Sequence, residues 1–202
     1  MRQIKFIYLL LMLFSVLQTS CYTDTPDYAY PYNANPQYTW GYAEFYGAYY
    51  KDYNNLNNVI SLSLFSDSLY INNDNEISGT GQYLYLEEIY IPPTDTILPN
   101  GIYRISKGGE VNTITPGEIV HVDKAEYVIG SYIYYIEKKS SYTTRKLISR
   151  GTVTVSSNGT KKTVSCDLVL NDSSKIRGSF SETLTYFVYK SRNSSKKLFV
   201  GQ

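Results

Sequence analysis

The fold is decided by residues 151–170, which read GTVTVSSNGTKKTVSCDLVL. Apolar and polar residues alternate over 152–155 and again over 163–166, on the two sides of Asn158-Gly159. Alternation with a period of two is typical of a β-strand with one buried face. Asn-Gly supplies the positive backbone angles that a tight primed turn needs. The pattern therefore predicts a β-hairpin that reverses at Asn158-Gly159.

Period-two runs separated by turn residues continue through the chain from Tyr38 onward. No window holds an apolar stripe at helical spacing for three turns. Asn171-Asp172-Ser173-Ser174 and Leu98-Pro99-Asn100-Gly101 are typical of further turns, so the last three strands are expected to form a meander. We predict strands over Tyr38–Tyr50, Val59–Phe65, Gln82–Ile91, Gly101–Ser106, Glu118–Val122, Ser131–Lys138, Lys146–Val155, Lys162–Leu170 and Lys175–Tyr189.

These strands predict an all-β protein, in which no helix is available to cover the sheet. Such a sheet must bury one face on another sheet or close on itself. Consecutive hairpins, and a long first strand whose Gly41 and Gly47 let it curl, favour a single antiparallel up-and-down β-barrel over residues 37–190. A two-sheet β-sandwich is the alternative architecture.

Five segments between Tyr38 and Tyr189 also suggest a family. They are Gly79-Thr80-Gly81-Gln82-Tyr83-Leu84, Leu98-Pro99-Asn100-Gly101-Ile102-Tyr103-Arg104-Ile105-Ser106, Gly151-Thr152-Val153-Thr154-Val155, Cys166-Asp167-Leu168 and Lys175-Ile176-Arg177-Gly178-Ser179-Phe180. This succession of turns and strands resembles the calycin-like (lipocalin-like) β-barrel lipoproteins of Gram-negative gut anaerobes. The resemblance implies an anchored barrel outside the cytoplasm and implies no catalytic residues.

The first 21 residues have the order of a secretory signal that ends in a cysteine. Arg2 and Lys5 form a basic start, residues 7–17 are mostly apolar, and small or polar residues lead to Cys21. A transmembrane helix needs about 20 apolar residues, so a permanent transmembrane anchor is the minor alternative. The residues before the cysteine resemble the lipobox of bacterial lipoproteins. We therefore expect residues 1–20 to be removed and Cys21 to carry lipid that fixes the chain to a membrane.

Residues 21–36 predict a tether between that lipid and the domain, because they are polar and are punctuated by Pro26, Pro31 and Pro36. Under the lipoprotein resemblance, Tyr22 in place of an aspartate after the cysteine favours the outer membrane over the inner one. Residues 191–202 are interpreted as a solvated basic C-terminal tail.

The charge balance excludes general nucleic-acid binding. Removing residues 1–20 takes away Arg2 and Lys5 but no acid, so Lys plus Arg falls from 19 to 17 against 18 Asp plus Glu. A mature formal charge of about −1 lacks the basic excess that binding to a phosphate backbone requires. We expect no nucleic-acid partner.

Residues that could support catalysis lack the partners that they would need. His121 is the single histidine, so it cannot form a multi-histidine metal site. Glu87-Glu88 are adjacent on a strand, where alternation sends them to opposite faces. Cys166 shares a face with three aliphatic residues, which predicts a buried thiol. We expect a noncatalytic protein without metal or cofactor.

The feature with binding potential is aromatic. The first predicted strand places Tyr38, Trp40, Tyr42, Tyr46 and Tyr50 on one face. If that row is exposed, it is a platform for sugar rings or for a partner's apolar surface, and if it is buried, it is one wall of the core. We take Tyr38, Trp40, Tyr42 and Tyr46 as the candidate ligand-binding residues.

Two functions fit these observations. The first is a noncatalytic, lipid-anchored envelope or cell-surface binding protein whose partner is a glycan, a small apolar ligand or an envelope protein. The second is a structural or adhesion component of the envelope without a ligand cavity. An accessible site lined by tyrosines would favour the first, whereas a filled interior with a flat apolar edge would favour the second.

Overall fold

The computed structural model describes residues 33–66, 68–137 and 142–189. The predicted signal peptide, Cys21 with most of the tether, and the basic tail lie outside the described residues. Within them the protein is all-β, as predicted, with a short 3-10 turn at Lys51–Tyr53. No helix in these ranges has the length and hydropathy needed to cross a membrane.

The strands are numbered in chain order. They are β1 Gln37–Gly47, β2 Asn58–Ser66, β3 Leu69–Ile71, β4 Ile77–Gly79, β5 Gly81–Ile91, β6 Gly101–Ile105, β7 Thr113–Ile114, β8 Glu118–Val122, β9 Ala125–Ile129, β10 Tyr132–Glu137, β11 Tyr142–Asn158, β12 Lys161–Leu170, β13 Lys175–Ile176, β14 Ser179–Glu182 and β15 Thr185–Val188.

The hairpin at Asn158-Gly159 is confirmed, with its turn shifted by one residue. Asn158 pairs with Lys161, so the two-residue loop is Gly159-Thr160. Gly159 has φ +61°, whereas Asn158 does not have a positive φ. Glycine alone at the first central position is typical of a type II′ turn. The flanking strands pair as predicted, with Val153 opposite Cys166.

One large sheet contains most of the strands. Its order is β10-β11-β6-β7-β5-β2-β1-β14-β12-β13, and β15 pairs with β1. Two further pairings join β10 to β5 and β11 to β12. The short hairpins β3–β4 and β8–β9 form separate two-stranded sheets.

The prediction of a purely antiparallel sheet is wrong, because the sheet is mixed. β1 runs parallel to β14 and to β15, and β6 runs parallel to β7. The strands β1, β2, β5, β10, β11, β12 and β14 alternate in direction from each to the next. Because the number of these strands is odd, the last strand, β14, runs in the same direction as the first, β1. The two strands therefore pair in parallel.

Two predicted strands differ most from the structure. The first ends at Gly47, where φ is +64°, and does not reach Tyr50. The range Lys175–Tyr189 is divided into β13, β14 and β15. The first break lies at Gly178, whose N–H donates to Cys166 Sγ over 3.2 Å, and the second contains the buried Leu184.

The main core lies on one side of the large sheet. It consists of buried, mostly aliphatic side chains from many strands. Val164, Cys166, Leu168 and Leu170 of β12 all belong to it, so the prediction that Cys166 is buried with its aliphatic neighbours is confirmed. Burial raises the pKa of the Cys166 thiol to about 11. This thiol is therefore protonated and unreactive near neutral pH.

The last residues of the predicted tether lie against the domain. The carbonyl of Ala34 accepts a hydrogen bond of 2.8 Å from the N–H of Arg177, and that of Pro36 accepts one of 3.0 Å from the N–H of Ser179. Pro36 is buried and Ala34 is packed against the main core. The folded region thus begins before β1.

Candidate functional site: the aromatic face

A second cluster of apolar residues lies on the face of the sheet opposite the main core. On β5, Leu84 and Leu86 belong to the main core, whereas Tyr83 and Tyr85 belong to this second cluster. The alternation of side chains along each strand explains the separation. The members of the second cluster are Trp40, Tyr42, Phe65, Leu69, Ile77, Tyr83, Tyr85, Tyr132, Tyr134 and Ile136. We call this surface the aromatic face.

The predicted aromatic row is divided between the two faces. Trp40 and Tyr42 belong to the aromatic face, but Tyr38 belongs to the main core and is 3% exposed. The cause is a bulge in β1. Tyr38 pairs with Ser66 and Trp40 pairs with Phe65, so two positions on β1 match one on β2. The extra residue on β1 turns the side chain of Tyr38 to the face opposite that of Trp40. The prediction of one continuous row is therefore wrong for Tyr38.

Tyr46 and Tyr50 lie toward the far end of β1. Tyr46 is half-buried and stacks on Tyr189, with centroids 5.3 Å apart and planes 8° apart. Tyr50 follows the strand, and its hydroxyl donates to the carboxylate of Glu88. Tyr46 therefore borders the aromatic face, and the ring of Tyr49 links it to Tyr50, with centroid distances of 6.1 Å and 4.9 Å.

Trp40 is held in place from two sides. Its ring is parallel to that of Phe65, with centroids 3.8 Å apart and an interplanar angle of 6°. Its Nε1–H donates to the carbonyl of Leu69 on β3 over 2.8 Å. The β3–β4 hairpin thus closes one end of the aromatic face, because Leu69 and Ile77 are buried in the same cluster.

Ring contacts continue from Trp40 across the sheet. Phe65 stacks on Tyr83 at 4.6 Å, and Tyr83 meets the edge of Tyr132 at 6.1 Å. Tyr132 contacts Tyr134 at 5.4 Å. Four neighbouring strands, β1, β2, β5 and β10, therefore contribute to one series of rings. Such geometries are the favourable ones for aromatic pairs.

The centre of the aromatic face is buried and its margin is accessible. Phe65 is 0% exposed and Tyr83 is 5% exposed. Trp40, Tyr85, Tyr132 and Tyr134 are only partly buried. Arg145 of β11 lies over the ring of Tyr134, 5.7 Å from its centroid. The buried rings contribute to folding, while Trp40, Tyr85, Tyr132 and Tyr134 keep part of their surface accessible to solvent.

Glu44 lies between Tyr42 and Tyr46 on β1, on the same face of the strand. Its carboxylate accepts hydrogen bonds from the hydroxyls of Tyr46 at 3.0 Å, Ser61 at 3.0 Å and Tyr189 at 2.8 Å. No Lys or Arg in the described ranges forms a salt bridge with Glu44. This carboxylate is stabilised by neutral hydroxyl donors.

The phenols around Glu44 remain protonated at neutral pH. Burial, followed by the hydrogen bond to Glu44, raises the pKa of Tyr189 to about 12. Burial and then the charge of Glu44 raise the pKa of Tyr46. Burial raises the pKa of Tyr85 well above its usual value, and the charge of Glu87 adds to that effect. All three side chains can therefore donate hydrogen bonds.

Glu87 and Glu88 have different hydrogen-bond partners. Glu87 Oε2 accepts the N–H of Gly130 over 2.6 Å. Glu88 accepts hydroxyl hydrogens from Tyr50, from Tyr90 at 3.3 Å and from Thr115 at 2.7 Å. Glu88 also has φ +54°, next to a register shift between β2 and β5.

Small residues on β2 allow the tyrosines to approach the sheet. Ser61 and Ser63 are buried, at 2% and 1% exposed. Ser63 Oγ lies 3.1 Å from the hydroxyl of Tyr83, and Ser61 bonds to Glu44. A larger side chain at either position would occupy the space above the strand that these phenols and the carboxylate now fill.

Several members of the aromatic face were not predicted from the sequence. Tyr83 and Tyr85, and likewise Tyr132 and Tyr134, are spaced two residues apart within predicted strands. That spacing is the signal of a shared strand face, and it could have identified them. The contact of Tyr189 with Glu44 joins residues 145 positions apart, for which the sequence carries no local signal.

The other candidate groups lie apart from the aromatic face. His121 is exposed on β8 and its Nδ1 lies 3.8 Å from Glu126 Oε1. Over the described ranges, no three His, Cys, Asp or Glu side chains are grouped to hold a metal ion.

Comparison of the chain with protein-family models, with curated proteins and with solved structures finds no match.

Proposed function

We propose that this protein is a noncatalytic binding protein of the cell envelope, anchored by lipid at Cys21, and that its aromatic face binds a glycan. The observation that carries the proposal is the partly buried tyrosine surface beside the hydroxyl-bonded carboxylate of Glu44. Aromatic rings pack against the apolar faces of sugar rings, while carboxylates and phenols bond to sugar hydroxyls.

The binding surface is proposed on the aromatic face because the side chains of the opposite face are buried in the main core. The main core contains fully buried aliphatic residues such as Ile60, Leu64 and Leu84. A small apolar ligand would have to displace such side chains. The margin formed by Trp40, Tyr85, Tyr132 and Tyr134 needs no displacement.

The proposed architecture is a closed barrel of calycin-like type. The pairings support closure, because they lead from β1 through β2, β5, β10, β11, β12 and β14 back to β1. A two-sheet sandwich would separate these strands into two sheets, whereas here they belong to one. The calycin-like resemblance of the sequence agrees with this proposal.

The glycan proposal is tested by following Trp40, the single tryptophan of the chain. Soluble plant and microbial polysaccharides are titrated into the protein, and tryptophan emission and retardation in polysaccharide-containing gels are measured. We expect a saturable change in emission for at least one polysaccharide class, because Trp40 lies in the aromatic face. Unchanged emission together with unretarded migration for every polysaccharide contradicts the proposal.

The proposed anchor is tested by metabolic labelling with a fatty-acid probe. The wild-type protein is expected to incorporate the probe and to fractionate with the outer membrane. The Cys21→Ala variant is expected to incorporate none, because it lacks the thiol that receives the lipid. Equal labelling of both proteins contradicts lipidation at Cys21.

A structural or adhesion role is the second candidate, and the β8–β9 hairpin favours it. This hairpin exposes large apolar side chains, namely Ile119, Val122, Tyr127 and Ile129. Photocrosslinking from position 127 in intact cells is expected to yield one discrete product with an envelope protein if this candidate is right. Absence of a discrete product contradicts it.

A further inference from the structure

Glu44 is the polar centre of one end of the aromatic face. Its two carboxylate oxygens have about four acceptor positions, of which the hydroxyls of Tyr46, Ser61 and Tyr189 use three. The three donors come from β1, from β2 and from the residue after β15. A ligand that approaches this end meets the negative charge of Glu44, whose hydrogen-bond donors are neutral hydroxyls.

A sugar hydroxyl can exchange with a tyrosine hydroxyl at this carboxylate with little change in bonding. Both groups donate an O–H to the same oxygen, so the ligand gains the bond that the phenol gives up. A tyrosine is the suitable group to exchange, because Tyr46 and Tyr189 are partly accessible whereas Ser61 is buried. A carboxylate group of an anionic chain cannot donate such a bond and is repelled by the charge of Glu44.

We propose that Glu44, among the hydroxyls of Tyr46, Ser61 and Tyr189, makes the aromatic face selective for uncharged glycan chains over chains that carry carboxylates. This inference rests on the proposed glycan-binding function and specifies its ligand class. The rings supply stacking that any pyranose chain can use, and the carboxylate supplies the discrimination. A basic peptide, which the same charge would attract, is the competing occupant and is one outcome of the test.

The test uses matched polysaccharide pairs that share a backbone and differ in charge. Suitable pairs are methyl-esterified and unesterified homogalacturonan, unsubstituted xylan and glucuronoxylan, and hydroxyethyl and carboxymethyl cellulose. Affinities are measured by titration at low salt and at high salt. For the pair that binds, we expect the neutral member to bind about tenfold more tightly than the charged member at low salt. At high salt we expect a smaller ratio of the two affinities, because salt screens the charge of Glu44.

Two variants separate the effect of the Glu44 charge on binding from any effect of a changed fold. Glu44→Gln keeps the size of the side chain and removes its charge, so we expect the preference for the neutral member to fall several-fold. Glu126→Gln removes an exposed carboxylate on β9 and is expected to leave the preference unchanged. Unaltered circular dichroism and Trp40 emission in the free variants verify that both retain the fold.

The outcomes distinguish this inference from the function on which it rests. If no polysaccharide binds, the proposed function fails and the selectivity fails with it. If both members of every pair bind equally, or if Glu44→Gln retains the full preference, the selectivity is wrong although glycan binding stands. If oligolysine binds more tightly than every neutral chain and Glu44→Gln abolishes that binding, the site is one for a basic peptide and the inference is overturned.

Discussion

Trp40 and Phe65 form the closest ring stack described in the protein, with centroids 3.8 Å apart and planes 6° apart. The pair joins β1 to β2 on the face opposite the main core. Phe65 is fully buried and Trp40 is partly buried, so the stack marks the boundary between the folded interior and the accessible margin of the aromatic face. We therefore expect substitution of Trp40 to affect stability and, under the proposed function, glycan binding.

The Trp40→Ala variant is expected to lower the free energy of unfolding by about 2 to 4 kcal/mol, because it removes a large aromatic contact and leaves a gap above Phe65. Trp40→Phe retains a ring and loses the bond from Nε1 to Leu69 O, so a loss of about 1 kcal/mol is expected. Urea denaturation followed by circular dichroism measures both. A loss below about 1 kcal/mol for Trp40→Ala would show that the stack contributes little.

The Gly159→Val variant is expected to destabilise the hairpin by about 1 kcal/mol or more. Gly159 has φ +61°, and a Cβ placed there would meet no atom within 4 Å. The cost therefore comes from the backbone angle, which a β-branched residue resists. Thr160→Val at the next position of the turn is the control and should cost less, since Thr160 has no positive φ. Equal melting temperatures for wild type and Gly159→Val contradict the turn.

Cys166 is expected to resist thiol reagents in the native protein and to react once urea unfolds it. Its pKa is about 11 in the fold, against an ordinary value of 9.0. As pH rises, the Cys166 thiol of the unfolded chain therefore loses its proton before that of the folded protein. The contribution of this thiol to the free energy of unfolding is complete below pH 9 and is lost between about pH 9 and 11. The Cys166→Ala variant should lack this part of the alkaline loss of stability. Rapid labelling of the native thiol at pH 8 would refute its burial.

The strand class and the C-terminal hairpin could be predicted because their signals are local. Val153, Val155, Val164 and Cys166 alternate with polar residues, and glycine marks the turn between them. Of the β8–β9 hairpin only the first strand was predicted, because the loop between the two strands is Asp123-Lys124. Both residues have positive φ, at 48° and 72°, in a turn that lacks the usual glycine.

The division of the aromatic row could not be predicted from alternation. A bulge adds one residue between Tyr38 and Trp40, and its position depends on how β1 pairs with β2. The parallel contact of β1 with β14 likewise depends on the number of alternating strands between them. Contacts such as that of Tyr189 with Glu44 exist only once this pairing has formed.

Glycan binding by the partly buried tyrosines of the aromatic face is tested by the affinity of a double variant at Tyr132 and Tyr134. Both residues lie on β10 at the accessible margin, and Tyr127 is an exposed tyrosine of the separate β8–β9 hairpin. With the best-bound neutral polysaccharide, we expect Tyr132→Ala/Tyr134→Ala to bind at least about tenfold more weakly than wild type, because two stacking contacts are lost. Tyr127→Ala should bind like wild type. Wild-type affinity in a folded Tyr132→Ala/Tyr134→Ala variant would contradict the claim.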